Sequence, residues 1–79
     1  MLMAYVLINC EIGSVEEVIS HLKSISDIKE VQGTFGVYDI LAKLESNEVK
    51  TLRNIITNQI RKIDRVSSTL TLMGIEGQQ

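Results

Sequence analysis

The apolar residues change period along the chain, from two to about 3.6 and back, in six consecutive blocks. Period two marks a strand and period 3.6 a helix. This alternation limits the fold more than any other feature of the sequence. Over residues 3–11, Ala4, Val6, Ile8 and Cys10 alternate with Met3, Tyr5, Leu7, Asn9 and Glu11. Both sets are apolar near the middle, which predicts a strand covered on both faces. Gly13 breaks it. Ser14-Val15-Glu16-Glu17 then reads as a capping box, with hydroxyl and carboxylate each bonding the other residue's amide. Val15, Val18, Ile19, Leu22 and Ile25 follow at helical spacing, which predicts a helix over 15–25.

Residues 28–35 suit a strand that ends at Gly36. Residues 38–45 suit the next, with Ile40, Ala42 and Leu44 facing opposite to Asp39, Leu41, Lys43 and Glu45. The short link predicts an antiparallel hairpin. Ser46 or Asn47 is placed to cap a second helix, with Glu48 in its first turn facing the positive end of the dipole. Val49, Leu52, Ile55, Ile56, Ile60 and Ile63 form its buried stripe. Residues 66–73 close the pattern as a strand, and the tail Glu76-Gly77-Gln78-Gln79 is expected to fray.

The order is βαββαβ in one domain spanning 1–79, an α+β chain. Right-handed crossovers give a ferredoxin-like fold: a four-stranded antiparallel sheet with both helices on one face. The other face is bare, with Tyr5, Leu7, Leu41 and the Thr69-Thr71-Met73 row as its candidate apolar surface. A domain of 79 residues buries only about 60% of its unfolded surface. It has one cysteine, hence no internal disulfide. Packing against a second copy is therefore expected to supply stability and cover the bare face.

Composition narrows the function classes. Net charge is −2, against a binder of nucleic acid through a broad basic surface. No apolar run is long enough to span a membrane, and Met1–Cys10 lacks the basic start of a signal peptide. The lone cysteine fits a reducing compartment, so a cytoplasmic location is expected.

Few residues offer chemistry. His21, the only histidine, falls on the outer helix face, with no nucleophile or orienting carboxylate set beside it by sequence. Cys10 reads as a small buried hydrophobe, and with one histidine it cannot complete a zinc site. Lys50, Arg53, Arg61, Lys62 and Arg65 cluster within 16 positions. They read as a solvated helix face, because no aromatics for base stacking accompany them. No catalytic residue, metal or cofactor is assigned.

The informative stretch is Thr34-Phe35-Gly36-Val37-Tyr38-Asp39. Gly36 permits a turn closed to residues with a Cβ. Exposed amides at a tight turn can hold a carboxylate, and Asp39 can meet an ammonium group. The hairpin can thus bind a zwitterionic amino acid. It can also be a turn capped by its own aspartate, and local chemistry alone favours that simpler reading.

Over essentially its whole length the sequence resembles the Lrp/AsnC family of leucine- and asparagine-responsive regulators, whose C-terminal effector domain is βαββαβ. The resemblance rests on Glu11 to Glu17, on Ile28-Lys29-Glu30-Val31, on Gly36-Val37-Tyr38-Asp39 with Ile40-Leu41-Ala42-Lys43 after it, and on Val66-Ser67-Ser68-Thr69-Leu70-Thr71. The family usually has glycine where Arg65 stands. The first strand opens within a few residues of Met1, so the resemblance implies an effector domain without the family's N-terminal helix-turn-helix.

It further implies a homodimer of the dimeric α/β-barrel type, built sheet to sheet, and rings of dimers, commonly octamers. Amino-acid effectors would bind where dimers meet. Carried onto this sequence, the ligand-binding positions are Gly36, Tyr38 and Asp39, then Thr34, Thr69 and Thr71. The expected function is amino-acid binding and oligomerisation within a transcription-regulator family, alone or with full-length regulators. A small enzyme of the same barrel type and a purely structural assembly partner are the alternatives.

Overall fold

A computed structural model of the protein describes residues 1–75; the tail expected to fray, 76–79, lies outside them. The elements run β1 (Leu2–Cys10), α1 (Val15–Lys23), β2 (Ile28–Gly33), β3 (Ile40–Ser46), α2 (Val49–Ile55) and β4 (Val66–Met73). One turn of π-helix, Ile56–Ile60, continues α2. The strands form one antiparallel sheet in the order β2-β3-β1-β4, the ferredoxin-like arrangement.

The core lies between the sheet and the helices. Ala4, Val6 and Ile8 of β1 are fully buried with Ile40, Ala42 and Leu44 of β3. Val18 and Leu22 of α1 and Leu52, Ile55 and Ile60 from the second helix pack on them. Paired residues in antiparallel strands point to the same side. The pairs Val6↔Ala42 and Ile8↔Ile40 therefore put two strands' alternate residues on one covered face.

Several local expectations are corrected. The capping box does not form. Ser14 is the N-cap, but its φ of −108° and ψ of 5° depart from the extended cap conformation, and its side chain makes no capping bond. Its amide is taken by the Glu11 carbonyl at 3.0 Å, in a turn that Gly13 allows at φ +83°. The helix stops at Lys23 rather than residue 25, because Ser24 and Ile25 donate to His21 and Leu22, a tighter turn than the α-helix. Glu48, expected in the first turn of α2, is its N-cap instead. Ser46 is not the cap, yet its Oγ accepts the Glu48 amide at 3.2 Å. Val49 is 44% exposed, while the rest of the stripe, Leu52 to Ile63, is buried. The strands of the hairpin stop short at Gly33 and begin late at Ile40, so 34–39 is a loop.

The bare face is also corrected. Thr69, Thr71 and Met73 pair with Ile8, Val6 and Ala4, so they stand on the helix side of the sheet. Leu70 and Leu72, paired with Leu7 and Tyr5, take their place on the open face. A β-bulge shifts the phase: Asn9 pairs with Ser68 but Cys10 pairs with Val66, leaving Ser67 over. The open face thus carries Leu41–Leu7–Leu70 and Lys43–Tyr5–Leu72 as rows across three strands. Lys43 is flanked by Glu30 at 3.9 Å and Glu45 at 3.6 Å.

Arg65 has φ +79°, the left-handed region that glycine enters without strain. Its carbonyl accepts the Glu11 amide at 2.8 Å, which joins the start of β4 to the end of β1. The turn therefore keeps the backbone shape of a glycine turn with an arginine in it. Arg65→Val, β-branched, should cost roughly 1–2 kcal/mol, whereas Arg65→Gly should match or exceed the wild type. Urea unfolding midpoints check the order; a valine variant as stable as the glycine one would disprove the strain.

Candidate functional site

The 34–39 loop is held at both ends. Thr34 donates its amide to the Asp39 carbonyl at 2.9 Å and its hydroxyl to the Tyr38 carbonyl at 2.7 Å. Asp39 in turn donates its amide to the Ile8 carbonyl of β1 at 3.0 Å. Between these ties Gly36 sits at φ +129°, open to glycine and strained for any other residue. Phe35 at the tip is fully exposed and Val37 is 83% exposed.

The Asp39 carboxylate does not cap its own turn. Its Oδ2 accepts the Cys10 amide at 3.0 Å. The β1–β3 ladder ends at Ile8↔Ile40, so the Cys10 N–H lies beyond the last strand pair. Asp39 supplies the acceptor there that β3 no longer does. The Cys10 thiol also approaches Oδ2, at 3.9 Å. Burial first, then the Asp39 charge and this contact, push the thiol pKa up from its ordinary value. Cys10 is half-buried rather than buried, and it packs on the edge of the core.

Four of the expected ligand-binding residues, Thr34, Gly36, Tyr38 and Asp39, therefore form one structured loop. Thr69 and Thr71 do not join them within one chain. They sit on the edge strand β4, and β1 lies between that strand and β3. Thr71 instead lines a groove of about 340 Å³ between α2 and β4. Val49, Leu52, Ile56 and Met73 make its apolar wall, with Arg53 and Thr57 beside them. Sequence reading missed this groove. Its only signal was Val49, assigned to a buried stripe that the helix does not extend so far.

The remaining polar candidates are dispersed. His21 is exposed on α1, and Lys50, Arg53, Arg61, Lys62 and Arg65 are exposed too. Arg65 lies within ion-pair distance of Asp64 and Glu11, at 3.7 and 3.9 Å. Among the described residues no cluster of histidine, cysteine and acidic side chains could hold a metal ion. Among them, too, no helix is long and apolar enough to cross a membrane.

Residues 3–76 match the family described as the Lrp/AsnC ligand binding domain. The chain belongs to this family. It is 31% identical over 61 residues to the regulatory protein AsnC of Haemophilus influenzae, covering 77% of this chain and 41% of that protein. It is 39% identical over 69 residues to a homocitrate synthase of Sulfurisphaera tokodaii, covering 86% of this chain and 15% of that enzyme. Among solved structures, hypothetical protein PHS023 from Pyrococcus horikoshii superposes with a TM-score of 0.89 at 32% identity. That likeness covers 95% of this chain and 90% of the other. The chain thus spans less than half the length of these two curated relatives.

The Asp39 clip separates charge from shape. Asp39→Asn keeps an acceptor for the Cys10 amide but removes the charge beside the thiol. At pH 8 its Cys10 should be deprotonated more often and should react faster with a disulfide reagent. Asp39→Ala leaves the amide without its partner and should cost about 1–3 kcal/mol of stability. An asparagine variant that reacts at the wild-type rate would show that the charge does not govern the thiol.

Proposed function

We propose that this protein is an effector-sensing and assembly module of the Lrp/AsnC regulators. It binds an amino acid at the 34–39 loop, where copies meet, and acts through assembly with itself or with full-length regulators. The supporting observation is the loop itself. Ties to β1 on one side and across its own base on the other pre-form a glycine turn whose tip residues stay in solvent. A pre-formed turn binds at lower entropic cost than one that must order first. The amides around Gly36 suit a carboxylate. The Asp39 charge, anchored beside them, suits an ammonium group.

The two halves of the site agree with an assembly. Thr69 and Thr71 complete the loop only if they come from another copy. The open face, with Leu70 and Leu72 about half exposed at 45% and 51%, suits sheet-to-sheet packing. Such a ligand acts by binding one assembly state better than another, which shifts the equilibrium between them. The match inside a homocitrate synthase, confined to 15% of that enzyme, supports a module that serves different partners. Regulation from one domain, rather than catalysis within it, is the reading that unites these relatives.

Calorimetric titration with each of the twenty amino acids tests the ligand class. One or a few should bind, and Asp39→Asn should weaken that binding by about 10- to 100-fold, the worth of a charged hydrogen bond. Equal binding by Asp39→Asn would remove the carboxylate from the site. Light scattering tests the open face: the wild type should be at least a dimer at micromolar concentration, and Leu7→Lys should lower its mass. A monomeric wild type would overturn the assembly.

A further inference from the structure

We infer that the groove between α2 and β4 binds a small aliphatic α-keto acid, at a site separate from the 34–39 loop. Val49, Leu52, Arg53, Ile56 and Thr57 fall at helical spacing along α2 and the π-helical turn that continues it. Thr71 and Met73 face them from β4. Leu52 and Ile56 are buried and form the floor, while Val49 and Met73 remain 44% and 48% exposed as walls. The volume of about 340 Å³ stands at the small end of ligand pockets, which run about 300–1,000 Å³ and combine apolar walls with a few polar groups. A π-helical turn is rare and recurs at functional sites, and this one opens at Ile56, on the groove floor.

The polar groups decide the ligand class. Arg53 is the one charged residue that lines the groove. Among the described residues, no carboxylate lies within ion-pair distance of it. A guanidinium in that state suits a ligand carboxylate, which it can grip through two parallel hydrogen bonds. The remaining polar side chains are Thr57 and Thr71, whose hydroxyls can donate to a neutral oxygen.

No acidic side chain lines the groove to receive an ammonium group. An amino acid held there would carry that group unpaired, near the like charge of Arg53. A keto oxygen in its place meets the threonine hydroxyls instead, and a branched aliphatic chain covers Leu52, Ile56 and Met73. The donor set thus selects the keto acid against the amino acid of the same carbon skeleton. Thr71 is the one residue this groove shares with the proposed amino-acid site. The groove holds its ligand whether or not the loop binds one.

The test is methyl-resolved NMR with calorimetry, using ketoisocaproate, isocaproate and leucine as probes. Ketoisocaproate should shift the methyl signals of Val49, Ile56 and Met73 and leave those of Val37, at the loop, in place. Arg53→Gln, at an exposed position and matched to the wild type by circular dichroism, should weaken its binding about 10- to 100-fold. Val49→Asp, at the exposed start of α2, puts a repelling charge in the wall and serves as the second variant. Isocaproate, which lacks the keto oxygen, should bind about two- to tenfold more weakly. Unmoved groove methyls, or shifts confined to Val37, would overturn the site. So would an Arg53→Gln protein that binds ketoisocaproate as tightly as the wild type. Isocaproate bound as tightly as ketoisocaproate, or leucine that shifts the groove methyls at equal affinity, would overturn the choice of a keto acid.

Discussion

Two helices can cover one face of a four-stranded sheet, and here they cover the face built on Ala4, Val6 and Ile8. The rest of the structure follows from that asymmetry. β1 is central, hydrogen-bonded to β3 on one side and β4 on the other, so its alternate residues set the phase of the whole sheet. Each residue it places in the core commits a neighbour to the open side. Tyr5 and Leu7 go there, and their partners Leu41, Leu70 and Leu72 go with them. Apolar surface left open on one sheet face is a standing driving force for association, worth roughly 25 cal/mol for each Å² covered.

Most of the fold was legible in the sequence because the signals there were repeated. The buried alternation of Ile40, Ala42 and Leu44 and the stripe of Leu52, Ile55, Ile56, Ile60 and Ile63 are each carried by several residues, and tertiary packing agrees with them. The misreadings concern single residues on which the pattern is silent. Ser67 is left over by a bulge, and one extra residue inverts the side to which every later side chain of β4 points. Ser14 is a favourable cap type, but the preceding glycine turn sets a backbone angle at which its hydroxyl cannot serve. The π-helical turn at Ile56–Ile60 leaves no mark in an isoleucine-rich stripe, because either helical pitch buries the same residues.

The candidate site was legible to a different degree. Gly36 and the polar residues around it announced a special turn, and the turn is there. The sequence did not say what Asp39 bonds. An aspartate at the foot of a hairpin has loop amides nearby in sequence, yet the donor it meets, the Cys10 amide, is 29 residues away. That donor exists because β3 joins the sheet at Ile40, opposite Ile8, two residues short of the end of β1. Local chemistry could offer the carboxylate a partner, but only the register of two strands could decide which.

For the proposed sensing role, Asp39 meets a structural requirement. Its carboxylate fixes the loop to the central strand, so any force on the loop reaches β1 directly. β1 in turn holds β4, where Thr69 and Thr71 stand. Under the proposed function, a ligand at the loop and a neighbouring copy at β4 would act on opposite edges of the same strand. Coupling between them needs no moving lid, only a preference of the ligand for copies already in contact, because binding and assembly that share a state favour each other equally. A chain with one well-packed layer and one open face suits that arrangement. Its core keeps the loop rigid, while its unfilled surfaces leave the assembly free to respond.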